Sequence, residues 1–187
     1  MKKYIWPSVK LTLFMVLVLA VLYPSLIAAV GKAAPGKGKG ETLSVNGVVV
    51  GYENVGQRFT EDKYFNGRPS AVDYNAAGSA GSNKGISNPD YQKTVQERID
   101  SFLAHNPGVQ KEDIPAELVT ASGSGLDPDI SPAAAMIQVK RIAATRRLPE
   151  HRLQTLIADQ THRPLLGFAG PEKVNVLKLN IALDTLK

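Results

Sequence analysis

The residues able to do chemistry are few, and they do not converge. His105, His151 and His162 are the three imidazoles of the chain, and no spacing among them supplies converging metal ligands. His105 falls at the end of a helical pattern, where a solvated or capping role fits it. Ser79, Ser82, Ser122 and Ser124 lie in glycine-rich surroundings, but none has glycine two positions before and two after it, so the strained turn that exposes a serine nucleophile is missing. No lysine or histidine is marked as a base for them. No GxxxxGK[ST] loop can cradle phosphates through backbone amides, and no DKTGT segment offers an aspartate for phosphorylation. Asp127 and Asp129 lack the glycine and distal glutamate of a calcium loop, which leaves turn chemistry. With no cysteine there is neither a disulfide nor a thiol. The chain therefore reads as having no catalytic constellation, no metal site and no tightly bound cofactor.

What the sequence has instead is two dense loop motifs, SAGSNKGISNP (residues 79–89) and LVTASGSGLDPDISP (residues 118–132). Each runs through small and hydroxyl residues into a helix start. They form either a backbone and hydroxyl surface that binds an ion or a partner chain, or simply two capped helix N-termini, with Ser87 and Ser131 as the caps.

These motifs need elements to hold them. Asn46-Gly47 interrupts a β-branched run in LSVNGVVVGY and predicts a two-stranded hairpin. From Gly56 to Pro89 no periodicity is sustained, which predicts a long ordered loop with its own turns. A first helix follows, with Tyr91, Val95, Ile99, Phe102 and Leu103 on a core face, ending at Asn106-Pro107-Gly108. Ser131-Pro132 opens a second helix whose stripe is Ala135, Met136, Val139, Ile142 and Ala143, with Lys140, Arg141, Arg146 and Arg147 off it. Pro149 starts a third, carrying Leu153, Leu156 and Ile157, and residues 174–187 read as a strand running into a terminal helix. The fold class is α+β, in one folded domain over residues 41–187.

Ahead of that domain stands an apolar segment. Residues 11–30 contain no charge, and as a helix they rise about 30 Å, the thickness of a bilayer's hydrocarbon core. Tyr4, Trp6 and Tyr23 sit where amphipathic rings prefer the interface. A cleaved signal would have a shorter apolar core, so a retained transmembrane anchor is expected, preceded by residues 1–10 and followed by a flexible tether, GKAAPGKGKG, over residues 31–40. Lys2, Lys3 and Lys10 face Lys32, Lys37 and Lys39 across the span, so charge leaves its orientation open. These six lysines also account for the formal net charge of +5, since 16 basic residues meet 17 acidic ones beyond residue 40. The folded part has no clustered positive surface for nucleic acid.

Six motifs, in order along nearly the whole chain, carry a resemblance. They are Tyr23-Pro24 in the span, FTEDKYFNGRPSA (residues 59–71), SAGSNKGISNP, LVTASGSGLDPDISP, IQVKRIAATRRL (residues 137–148) and VNVLKLNIALD (residues 174–184). Through them the sequence resembles the C subunit of the Kdp-type bacterial potassium-transporting P-type ATPase, departing from the usual pattern at Ala80, Lys84 and Asp129. The resemblance implies a single-pass subunit of the bacterial inner membrane, its N-terminus cytoplasmic and its domain extracytoplasmic, in contact with membrane lipid. It implies three protein partners: a channel-like potassium-conducting subunit, a P-type catalytic subunit that hydrolyses ATP, and a small single-span subunit. ATP and potassium would be handled by that complex, and this chain would be a non-catalytic accessory supporting its assembly and activity. The family's proposed link to nucleotide affinity falls on Gln138, which an extracytoplasmic domain would separate from ATP by the bilayer. A helical wheel offers Gln138 another role, as an amide bonding to loop backbone. Arg68, Ser82, Asn83, Ser122, Ser124 and Asp127 are the candidates for facing a partner or the ion. A membrane-tethered extracytoplasmic binding protein or enzyme acting alone is the alternative.

Overall fold

A computed structural model describes residues 2–164, 167 and 170–186. Met1 of the expected N-terminal segment and Lys187 of the expected terminal helix lie outside the described residues. The chain divides into two compact units, Met1–Thr42 and Leu43–Lys187.

The first unit is a long apolar helix, Lys3–Gly31, with no burial inside the protein over its most apolar stretch. It comprises helix α1 (Lys2–Val16), a wider π-helical stretch (Leu17–Leu22) and helix α2 (Tyr23–Gly31). The widening has a local cause. Pro24 has no N–H to offer the Ala20 carbonyl, and its ring presses on that turn, so the ladder relaxes to a longer step in which the Tyr23 amide donates to Val18. At 29 residues the helix extends beyond the uncharged stretch at both ends.

The expected hairpin forms from β1 (Thr42–Val45) and β2 (Val48–Tyr52), the second unit starting at Leu43. Asn46 and Gly47 take φ of 51° and 80°, the paired positive values a two-residue turn needs to match strand twist. Residues 53–88 contain no helix or strand. Helix α3 (Pro89–His105) follows, capped by Asn88, whose side chain accepts the Tyr91 amide; the cap is one residue later than Ser87. Its apolar stripe is only half-buried, and none of α3 enters the core, so it packs at the edge of the domain.

The core lies between a small antiparallel sheet and four helices. Strands β3 (Asp129–Ile130), β4 (Thr161–His162) and β5 (Lys173–Asn175) form the order β3-β5-β4, with Ile130 opposite Val174 and Thr161 opposite Val174 on the other side. Helices α4 (Pro132–Met136), α5 (Val139–Arg146), α6 (Glu150–Gln160) and α7 (Val176–Thr185) supply Ala135, Ile142, Leu153, Ile157, Leu179 and Leu183, which with Phe65, Ile130 and Val174 are buried almost completely. Burying side chains of this kind is worth about 1.5–3 kcal/mol each, which makes this cluster the main source of stability.

The single helix expected after Ser131 is two helices. Ser131 does cap, accepting the Ala134 amide, but the Gln138 side chain donates to the Ala134 carbonyl at 3.0 Å. In an unbroken helix that carbonyl would take the backbone N–H of Gln138, which goes to Ala135 instead. The side chain thus competes with the ladder and turns the chain between α4 and α5. Met136, expected on the buried stripe, is consequently 44% exposed. The terminal strand and helix form as expected, with the switch made by Asn175, whose side chain accepts the Lys178 amide and donates to the Glu53 carbonyl.

Candidate functional site

The two loop motifs and the end of FTEDKYFNGRPSA come together as one layer. Residues 118–132 lie against residues 68–82 through the Ser122 amide to the Pro69 carbonyl (3.1 Å) and the Ser79 hydroxyl to the Ser124 carbonyl (3.0 Å). Glycine is required at the closest approaches. A Cβ on Gly125, whose φ is +69°, would lie 2.8 Å from the Ala80 carbonyl oxygen and 2.6 Å from a Val72 methyl. One on Gly56 would lie 2.4 Å from the Asp127 carbonyl oxygen, because the Gly56 amide donates to Leu126 beside it. At these distances neither position has room for a side chain of its own.

Arg68 ties the layer together. Its guanidinium meets the Asp127 carboxylate at 2.9 Å, both side chains being about one-quarter exposed (25% and 29%). The other Asp127 oxygen accepts the Asp129 amide, and the Arg68 carbonyl accepts the Tyr74 hydroxyl. Tyr74 is held above its ordinary phenol pKa mainly by burial, with the Asp127 charge adding and Arg58 opposing. Among the candidates, Ser122 is buried, Ser82 half-buried, and Ser124 and Asn83 exposed. Asn83 takes a positive φ of 52°, and Ile86 beyond it is 87% exposed. Arg68, Ser122, Ser124 and Asp127 therefore belong to one packed layer, with Ser82 and Asn83 following Gly81 at its contact with Gly123.

Gln138 sits apart from that layer and is fully buried. Its carbonyl oxygen accepts from the Asn66 amide (2.8 Å) and from Arg141 (2.7 Å), and its amide nitrogen donates to the carbonyls of Asn66 (3.1 Å) and Ala134 (3.0 Å). All four hydrogen-bonding positions of the amide are filled from within the domain. This is the loop-backbone role that the helical wheel offered.

Three polar residues of the interior had no sequence signal strong enough to single them out. Arg141, 6% exposed, donates to the carbonyls of Asp62 and Tyr64 and to the side chains of Asn66, Asn106 and Gln138. Burial pushes its pKa below the usual guanidinium value, opposed by the Asp62 charge. Asn180 accepts the Phe65 amide and donates to the Phe65 carbonyl, as a neighbouring strand would. Asn106, buried at the end of α3, accepts from Arg141. The available hint was position: Arg141 stands three residues after Gln138, on an adjoining face of the same helical pattern.

The sequence comparisons fit this architecture. Over residues 5–185 the chain matches the family described as KdpC: K+-transporting ATPase, c chain. The chain belongs to the KdpC family. It is 57% identical over 185 residues to the potassium-transporting ATPase KdpC subunit of Flavobacterium psychrophilum, covering 99% of this chain and 100% of that protein. The KdpC subunit of Bacteroides fragilis (strain YCH46) is 49% identical over 188 residues, 99% and 98% of the two chains. That of Caldanaerobacter subterraneus subsp. tengcongensis is 44% identical over 177 residues, 94% and 92% of the two chains. As a KdpC chain it is a non-catalytic subunit of the K+-transporting ATPase, anchored by its N-terminal helix, with the other Kdp subunits as its partners.

Proposed function

We propose that this chain is an accessory subunit of ATP-driven potassium import, held by a transmembrane helix over residues 11–30 with residues 1–10 cytoplasmic. Residues 31–40 then form the tether, and residues 41–187 an extracytoplasmic domain at the bacterial inner membrane that supports assembly and activity of the pump. Its working part is the loop layer around Arg68, Ser82, Asn83, Ser122, Ser124 and Asp127, which faces the channel-like potassium-conducting subunit. The P-type catalytic subunit and the small single-span subunit complete the complex, which handles ATP and potassium.

The observation that carries this reading is the ordering of the loops. Fixing each residue's backbone costs about 1–2 kcal/mol, and the glycines and serines of the layer contribute little to the core. Backbone bonds and the Arg68–Asp127 pair hold them in one arrangement, while Asn83, Ser124 and Ile86 remain open to solvent in the isolated chain. A preorganised, exposed surface of this kind lowers the ordering cost of binding a partner. Gln138, with its amide fully engaged inside the domain, influences nucleotide affinity only by allosteric coupling through the partner subunits.

Potassium-stimulated ATP hydrolysis of the assembled complex tests the reading, with Arg68→Ala as the variant and ATP titration of this chain alone as the companion measurement. Reduced hydrolysis with Arg68→Ala and no appreciable ATP binding by the chain alone are expected. Wild-type hydrolysis with Arg68→Ala, or tight ATP binding by the isolated chain, overturns it.

A further inference from the structure

Residues 62–66, DKYFN, have no secondary structure, yet every one of their carbonyls is met by a side chain. Arg141 takes Asp62 (2.6 Å) and Tyr64 (3.0 Å), Arg146 takes Lys63 (2.7 Å), Asn180 takes Phe65 (3.0 Å) and Gln138 takes Asn66 (3.1 Å). The amides of Phe65 and Asn66 are returned to Asn180 and Gln138. Five consecutive peptide groups are thus held by four side chains of α5, α7 and the turn before α5, as a strand would be held by a neighbouring strand.

Arg141 is central to this cradle. Its five N–H donors are all used, by two carbonyls of the segment, by Asn66 and Gln138, and by Asn106 at the end of α3. Only a planar fork reaches five acceptors at once, and a lysine ammonium has three donors on one atom. The segment it grips runs through Gly67 directly into Arg68, whose carbonyl and guanidinium hold Tyr74 and Asp127 of the loop layer. A covalent route of two residues therefore joins the cradle to the loop layer.

We infer that Arg141 is a positioning residue for potassium-stimulated ATP hydrolysis by the complex: through the 62–66 segment it sets the placement of Arg68 and of the loop layer, with Gln138 as its buried acceptor. This rests on the reading of the loop layer as the working surface. Arg141 touches neither potassium nor nucleotide in this role. Its effect is on the geometry presented to the partner, and Gln138 shares that role because the two side chains hold the same peptide groups.

The test compares wild type, Arg141→Lys and Gln138→Glu in the full-length chain and in the assembled complex. Hydrogen exchange of the full-length chain in detergent is read by segment, and the apparent potassium KM and kcat of ATP hydrolysis are measured on complexes purified with normal subunit content. Arg141→Lys is expected to speed exchange in residues 62–68 while α6 and α7 keep wild-type protection. It is expected to raise the apparent potassium KM about tenfold, within the usual range of allosteric couplings, with a smaller change in kcat. Gln138→Glu keeps the acceptor for Arg141 but loses both donors, so it is expected to show the same pattern more weakly. Unchanged exchange in 62–68 overturns the cradle itself. Uniformly faster exchange throughout the domain overturns positioning in favour of general stability. Faster exchange confined to 62–68 with wild-type kinetics overturns the link to the loop surface, and Arg68→Ala measured alongside tells whether that surface itself has failed.

Discussion

Of two glycines in one motif, Gly123 and Gly125 in ASGSG, only Gly125 is expected to be sensitive to alanine. A Cβ on Gly123 meets nothing within 4 Å, and its φ lies outside the left-handed region. Gly123→Ala should change stability by less than about 0.5 kcal/mol, as surface substitutions do. Gly125 combines two penalties. Its φ of +69° costs an alanine about 1–2 kcal/mol, and the contact of 2.8 Å with the Ala80 carbonyl forces a backbone shift worth about 1–3 kcal/mol more. A loss of about 3 kcal/mol, at a urea dependence of about 2 kcal/mol per molar, moves the midpoint down by about 1.5 M. Urea unfolding of the full-length chain in micelles, followed by far-ultraviolet circular dichroism, measures it, with the anchor helix as a constant background. Tryptophan fluorescence would not serve, because the single tryptophan, Trp6, lies in α1. Equal midpoints for the two variants would refute the claim that residues 68–82 and 118–132 pack backbone to backbone.

Gln138→Ala removes four hydrogen bonds and takes a partner from the Asn66 N–H, the Asn66 and Ala134 carbonyls and one N–H of Arg141, so a loss of about 3–4 kcal/mol at the same urea assay is expected; less than about 1 kcal/mol would mean water replaces the amide freely. Stability should also fall in alkali. The folded pKa values of Tyr74 and Lys173 both lie above their ordinary values of 10.0 and 10.5, Tyr74 through burial and Lys173 through its hydrogen bond to Asp129. Their contribution is complete below pH 10 and is lost as pH rises through the folded values, so melting temperature should be level at neutral pH and decline above that point. Tyr74→Phe should flatten part of that decline, and an unchanged alkaline slope would count against a neutral, buried phenol at this position.

Much of the fold was legible because its signals were local. Asn46-Gly47, Ser131-Pro132 and the apolar run of residues 11–30 each act through the backbone conformation or solvent preference of a few residues, and they gave a hairpin, a capped helix start and a long apolar helix. The failures were long-range. The break at Ile137–Gln138 and the exposure of Met136 follow from a side chain reaching its own helix and a loop 72 residues away at once, which periodicity cannot register. Arg141 was set aside as a charge off the apolar stripe, since nothing local says that five acceptors await it. The glycine and serine motifs marked the segments that pack into the loop layer. Which glycines are obligatory, and that Arg68 closes on Asp127, depended on contacts between distant parts of the chain, Arg68 and Asp127 being 59 residues apart and Gly56 farther still from Asp127.

Attachment of the loop layer to another Kdp subunit is tested most directly by site-specific photocrosslinking in intact cells. A photoreactive residue is placed at Asn83, Ile86 or Ser124, and in separate strains at His151 or Glu172, which are exposed on other parts of the domain. A crosslink from the first three positions to the channel-like potassium-conducting subunit is expected, at higher yield than from the last two. Crosslinking at His151 or Glu172 together with none at Asn83, Ile86 and Ser124 would contradict it.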